Sequence, residues 1–400
     1  MKGDSSKKAF SVPGFLFSGI SSGIKKTGEK DLALIFSECP CEMAAVFTKN
    51  QIKAAPVKLA IKQISSRKGQ AIIINSGNAN ACTGRQGIKD AEQVIRATAR
   101  ELGISPEQVY CSSTGIIGRP LPVKKIKASI PGLAKKLSSS GLKNTASAIM
   151  TTDTVPKIAA KKIRVNGKTG TIVGIAKGAG MIHPDMATML CYIMTDIAVS
   201  PSALDSALRA AADQSFNNLC IDNDMSTNDT VMIMSNGKLG NKPLNKRSPS
   251  YSKFTNALSE VSYTLAKMIA EDGEGATKLI EIIVRRANTE SDARQVAMSV
   301  ADSMLVKTAV YGKDPNWGRI IAAVGYSGIN VTEDKISIFI NNIKVVNRGR
   351  GTGKEKEASR SLSGKEIVIT VNLGLGQKSS KALSCDLTEE YININAHYST

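Results

Sequence analysis

Thr188 follows a small residue, Ala187, inside the stretch Lys177–Asp196, KGAGMIHPDMATMLCYIMTD. A hydroxyl placed one atom run beyond a peptide carbonyl can act on its own chain. Its oxygen can attack the Ala187 carbonyl, take the acyl group and lose it to water. The chain is then cut, and Thr188 carries a free α-amine. Such an amine has an unperturbed pKa of roughly 7.7–8.0, so near neutral pH it can serve as base for its own hydroxyl. The plain reading is a β-branched residue that suits a strand, as most threonines in apolar runs do. Spacing alone favours that plain reading.

Other residue sets can do chemistry. In Gln108–Gly118, QVYCSSTGIIG, the pair Thr114-Gly115 offers a hydroxyl and an unencumbered N–H. Such a pair can hold a developing oxyanion, although Ser/Thr-Gly turns are also common connectors. ASAIMTTDTVP, residues 146–156, sets two threonines and an aspartate behind an apolar segment. In EDGEGATK, residues 271–278, glycines expose Glu274 near a turn. DNDMSTNDT, residues 222–230, is dense in oxygen ligands, but a calcium loop would need a glycine and a distal glutamate in other places. Residues 76–87 are glycine- and asparagine-rich without the lysine of a phosphate-binding loop. The two histidines, His183 and His397, supply a zinc site or a histidine triad poorly.

These residues must be positioned by regular elements. Asp31 to Phe47 reads as two strands around a turn at Cys39-Pro40-Cys41, and Gly69 to Asn75 as a short buried strand. A helix follows, with Ile88, Ala91, Val94, Ile95 and Leu102 on one face and Gly103 closing it. Lys162 to Ile175 reads as a hairpin turning at Asn166-Gly167. The run from Asp185 to Val199 holds no proline and reads as a buried strand. Ser202 can cap a helix running to Phe216, and Val231 to Met234 reads as a strand. Helices are expected over Phe254–Ile269 and about Asp292–Leu305, and strands over Ile336–Ile340 and Ile367–Leu373. Gly374 and Gly376 suggest a hairpin turn, Arg348–Glu357 an exposed loop, and the terminal YININAHYST a strand. The irregular alternation implies mixed α/β or α+β layers.

Composition narrows the class. The 400 residues, 42% hydrophobic and 22% charged, describe a globular chain of two domains or one large layered domain. There is no apolar run long enough for a membrane span. The lysine-bearing N-terminus lacks the apolar core of a secretory signal. Seven scattered cysteines without a CxxC pair fit a reducing cytoplasm. The net charge of +19 raises nucleic acid as a partner, but the lysines are spread and no aromatic platform accompanies them. A solvated lysine surface is the simpler reading, with a field that draws small anionic substrates as a second one.

SSTGIIG, IMTTDT, KGAGMIHPDMATML, STNDT, DGEGATK, KTAVYGKDPNWGRI and the final NAHYST, in this order over nearly the whole chain, resemble the ornithine acetyltransferase family, the glutamate N-acetyltransferases of the cyclic arginine pathway. The resemblance implies a layered α/β fold of the N-terminal-nucleophile, DmpA-like kind. It implies cleavage between Ala187 and Thr188 into an α chain, 1–187, and a β chain, 188–400, which stay together, with two of each in the family. It implies Thr188 as nucleophile and Thr114 with Gly115 as oxyanion hole. Substrate contacts fall on Thr151, Lys177, Thr188, Glu274, Asn395 and Thr400, with Thr152 an alternative to Thr151. The acetyl group of N-acetylornithine would pass to glutamate through an acetyl-Thr188 ester. No metal or cofactor is required, and acetyl-CoA is an additional donor for some members. His183 and His397 become structural. Two other readings remain: a self-processed aminopeptidase or amidohydrolase that shares Thr188, and a basic binding protein without chemistry.

Overall fold

The computed structural model describes residues 10–183 and 189–397. Two sheets organise it. The first holds β1 (Phe15–Ile20), β2 (Leu32–Phe47), β3 (Lys68–Asn78), β4 (Val109–Ile116), β5 (Lys157–Val165), β6 (Lys168–Lys177), β7 (Leu190–Thr195) and β8 (Thr230–Ser235). Its order is β4-β3-β2-β8-β7-β6-β5, with β1 also paired to β2. The second holds β9 (Leu279–Ala287), β10 (Ser337–Ile340), β11 (Ile343–Asn347), β12 (Arg350–Gly351), β13 (Glu366–Asn372) and β14 (Lys378–Cys385), in the order β12-β11-β10-β13-β9-β14.

The stretch read as two strands around Pro40 is one long strand, β2. Its register shifts between Phe36 and Cys41. β3 pairs with Leu32–Phe36 before the shift and with Cys41 and Glu42 after it, while the opposite edge pairs with β1 over Leu32–Ser37 and with β8 over Glu42–Phe47. Proline cannot donate to a ladder, so Pro40 sits where the strand changes partner. The sheet folds over at this irregularity. Tyr192 of β7 packs in one core with Tyr110 of β4, four strands away in sheet order. In a flat sheet those strands would lie about 19 Å apart.

Both faces of each half are therefore buried. Leu190, Tyr192 and Met194 point into the core shared with Ile35, Ile72, Ile74 and Tyr110. Cys191 and Ile193 point the other way, against the helices Pro201–Asp213 and Tyr251–Glu271. The helices Gly84–Leu102 and Val123–Lys135 cover the outer face of β2–β4. The result is helix, sheet, sheet, helix, the layered α/β arrangement expected from the sequence. The helices Glu290–Asp302, Met304–Tyr311 and Trp317–Gly325 pack on the second sheet.

The buried strand expected over Asp185–Val199 is β7 where it is described, and the hairpin at Asn166-Gly167 joins β5 to β6. Four readings need correction. The helix expected to reach Leu305 stops at Asp302, because the Ser303 hydroxyl accepts from Val306 N–H and starts a new helix. Ser200, not Ser202, precedes the helix of Pro201, whose fixed φ suits its first turn. Gly374 and Gly376 do not make a hairpin, since β13 and β14 flank β9 and do not pair with each other. The terminal segment is a helix, Glu389–His397. Its Ile392 is 66% exposed, so the polar–apolar alternation read as a strand buries nothing. Thr388 accepts from the Glu390 N–H, and two glutamates lie in the first turn, which favours a helix start. The exposed segment 348–357 contains β12 and enters the short helix Glu355–Ser361.

The expected division at 187/188 does not follow the sheets. β7, the first strand beyond it, lies between β6 and β8 in the first sheet. Among the described residues no helix is long and apolar enough to cross a membrane.

Candidate active site

Thr114, Gly115, Thr151, Lys177, Glu274 and Asn395 line one cavity of about 310 Å³. Thr152 lines it too, so both threonines of the pair are at the site. Ala187, Thr188 and Thr400 lie outside the described residues.

Thr114 and Gly115 end β4, in parallel register with Ser76 and Gly77 of β3. Gly115 has φ +128°, and a Cβ there would lie 2.5 Å from the Gly77 carbonyl carbon and 2.6 Å from the Asn78 nitrogen. Both are backbone atoms of a paired strand and cannot swing aside. Gly115→Ala is expected to displace this N–H and cut kcat for acyl transfer by about 10²-fold or more, the usual cost of losing one oxyanion donor. Gly132→Ala, in a helix with nothing within 4 Å, should keep the wild-type rate in the same turnover assay.

Asp153 organises the opposite wall. Its carboxylate accepts from the N–H groups of Thr151 at 3.0 Å and Gly178 at 2.6 Å, and from Lys157 Nζ at 2.7 Å. Lys157 also reaches Asp272 at 2.5 Å. Lys177, at the end of β6 and 3% exposed, has its Nζ 3.8 Å from Asp153. That distance is an ion pair without a hydrogen bond, so the ammonium keeps donors for another anion. Burial lowers the Lys177 pKa, and Asp153 opposes the fall. Burial alone would raise the Asp153 carboxyl, but Lys177 and Lys157 hold it well below the usual carboxylate range.

Glu274 follows the helix Tyr251–Glu271 and is 9% exposed. Its N–H donates to Ala179 O at 2.8 Å. Gly180 lets it come this close, because a Cβ at that position would lie 2.3 Å from Glu274 Oε2. Asn395 Nδ2 donates to the same oxygen at 2.9 Å. Tyr391, one turn earlier on the same helix face, donates to Asp222 Oδ2 at 3.2 Å. The terminal helix thus covers the cavity with two side chains.

Sequence reasoning missed Asp153, Tyr391 and the loop 222–230 as parts of the site. Asp222, Asp224, Ser226, Thr227 and Asn228 all line the cavity. The loop's oxygen density was the available signal, tested only against calcium. Among the described residues that line the cavity, Lys177 is the one cationic side chain, against Asp222, Asp224 and Glu274. The cavity is therefore acidic in a chain of net charge +19, and a substrate with an ammonium group fits it.

His183, Cys220 and Asp302 place one ligand atom each within 4.8 Å of one another, the one such group of three among the described residues. Burial pushes the Cys220 thiol well up, and the Lys307 ammonium bears on both Cys220 and Asp302.

Hydroxyl and glycine N–H at a strand end, with a buried ammonium and a carboxylate across a small cavity, define the class: an enzyme for acyl chemistry on small, doubly charged molecules. Comparison with known proteins agrees and narrows it. The family model described as ArgJ family matches residues 16–400. The arginine biosynthesis bifunctional protein ArgJ of Geobacter sulfurreducens is 48% identical over 391 residues, 97% of this chain and 100% of the relative. The protein of the same name from Symbiobacterium thermophilum is 47% identical, over 97% of each chain. A crystal structure of the ArgJ of Bacillus halodurans is 43% identical with a TM-score of 0.51, covering 52% of this chain and 98% of that one. The chain belongs to the ArgJ family. The expected enzyme class, an acetyltransferase of arginine biosynthesis, stands on this membership.

Proposed function

We propose that the chain cuts itself between Ala187 and Thr188 and then moves the acetyl group of N-acetylornithine to glutamate. In the first reaction Thr188 Oγ adds to the Ala187 carbonyl and its proton passes to the departing amide nitrogen. Water then hydrolyses the ester, leaving a carboxylate on Ala187 and a free amine on Thr188. In the second, that amine takes the hydroxyl proton while Oγ attacks the acetyl carbonyl. Thr114 and the Gly115 N–H hold the oxyanion. Ornithine leaves with the proton, and the acetyl ester of Thr188 remains. The amine of glutamate attacks the ester, and N-acetylglutamate departs in a ping-pong scheme.

Lys177 faces the substrate α-carboxylate and Glu274 the side-chain ammonium, as charge-assisted partners in a partly dry cavity. Thr151 and Asn395 complete the contacts, with Thr400 at the terminus. The observation that carries the reading is that residues from three distant segments, around 114, 177 and 274, line one cavity. The halved length of the matched Bacillus halodurans chain supports the cut, since 98% of it covers 52% of this one. The α and β chains would remain associated as two of each. Acetyl-CoA is proposed as a second acetyl donor to glutamate, without a resident cofactor.

Purified protein given N-acetylornithine and glutamate is expected to form N-acetylglutamate and ornithine. Free acetate without N-acetylglutamate would replace the transferase reading by the hydrolase one. Glu274→Gln should raise KM for N-acetylornithine by about tenfold or more, the scale of one charged hydrogen bond of 1.5–3 kcal/mol, and leave the rate of self-cleavage unchanged. The same enzyme given acetyl-CoA and glutamate tests the second activity.

A further inference from the structure

The segment 184–188 enters and leaves the described residues through two short stretches, and one loop holds both. Before the cut, Met181 and Ile182 donate their N–H groups to the two oxygens of Asp222, at 2.6 and 2.7 Å. The Ile182 carbonyl in turn accepts from Ile221 N–H at 2.9 Å. Beyond the cut, Met189 N–H donates to Asp229 Oδ1 at 3.1 Å, and its carbonyl accepts from Thr230 N–H at 3.1 Å. Between these two carboxylates lies Asn228. Its amide donates to the carbonyls of Ala79 and Ser113, both at 2.7 Å. Ser113 immediately precedes Thr114-Gly115. The loop is itself anchored to the end of β2, where Thr48 N–H donates to Asp229 O at 3.0 Å and its hydroxyl to Ser226 O at 2.8 Å.

We propose that the 222–229 loop is the positioning device of self-cleavage: Asp222 and Asp229 grip the chain on either side of the Ala187–Thr188 bond, and Asn228 fixes the oxyanion pair in the same frame. This rests on the self-cleavage reading above. A peptide bond attacked by its own side chain must leave the relaxed extended form, and a chain held at one end only would relax away from the attack geometry. Misplacement by about 1 Å costs about 10²-fold in rate. The grip needs an acceptor oxygen and no charge. Burial pushes the Asp229 carboxyl well above its ordinary range, so asparagine is a close stand-in for it.

The test follows the cut in the full chain by denaturing gel and intact mass over time. Asp229→Leu, which keeps the volume and removes the acceptor, is expected to slow the cut about 10²-fold. Asp229→Asn should remain near the wild-type rate. Melting temperatures of both, compared in a Thr188→Ala background that no variant can cut, separate positioning from stability. A role in stability alone would lower the melting temperature and leave the rate of the folded fraction unchanged, which overturns the proposal. Should Asp229→Leu fail to fold, Asp222→Leu on the half-exposed side of the loop decides, and a wild-type cutting rate there overturns the grip. An uncut wild type overturns the self-cleavage reading itself. A cut wild type with an equally fast, folded Asp229→Leu overturns the grip alone.

Discussion

Replacing Thr188 by alanine is expected to leave a single 400-residue polypeptide where the wild type gives fragments 1–187 and 188–400. It should also lower acetyl transfer by on the order of 10⁴–10⁶-fold, the scale seen when a nucleophile that acts as a unit with its base is removed. Both effects have one cause. The hydroxyl that opens the Ala187–Thr188 bond is the hydroxyl that later takes the acetyl group, and the amine that serves it exists only after the cut. Thr188→Ser keeps the oxygen and should keep both reactions at reduced rate. Gel, intact mass and N-acetylglutamate formation read the two outcomes together. A Thr188→Ala chain that is still cut there would place the nucleophile elsewhere.

The second large effect is expected at Asp153. Asp153 and Lys157 are fully buried and Lys177 nearly so, so removing the carboxylate strands positive charge where water cannot reach it. Lys157 retains Asp272, but Lys177 loses the carboxylate it pairs with in this network. Breaking a buried pair on one side costs about 3–5 kcal/mol, and Asp153→Ala should lose that much in urea unfolding. The sign of the pH dependence follows from the depressed carboxyl. Its stabilisation is fully present above the unfolded value of about 3.9 and is lost only as pH falls through the folded value, well below it. The gap between wild type and variant should therefore stay constant from about pH 5 to 8 and close only in strong acid. Because Asp153 also orients Thr151 and Gly178, the variant should show a raised KM for N-acetylornithine.

Local segments were legible where neighbours in sequence determine the conformation. The helix closed by Gly103, whose φ is +65°, and the hairpin at Asn166-Gly167 are of this kind. The single long β2 was not legible, because Cys39-Pro40-Cys41 looks like a turn until one knows that β3 pairs on both sides of it and that β8 takes over from β1 on the other edge. The terminal helix was misread because Ile392 and Ile394 alternate with polar residues, while the capping role of Thr388 lies upstream of the segment considered.

By itself the sequence determined the chemistry available to this protein. A threonine after a small residue, a Thr-Gly step, a lysine and a glutamate flanked by glycines are properties of short segments, and the order of the motifs carried the family. The tertiary structure decided what those groups face. The sheet folds over at the irregularity in β2, and only then does the end of β4 meet the end of β6 across a cavity roofed by the terminal helix. Asp153, buried between two lysines, and Asp222 and Asp229, reaching amides about forty residues upstream, take their roles from that folding. An oxygen-rich loop reads the same in sequence whether it binds a cation, faces solvent or grips backbone amides. Its partners are set by the long-range folding that brings those N–H groups to its carboxylates.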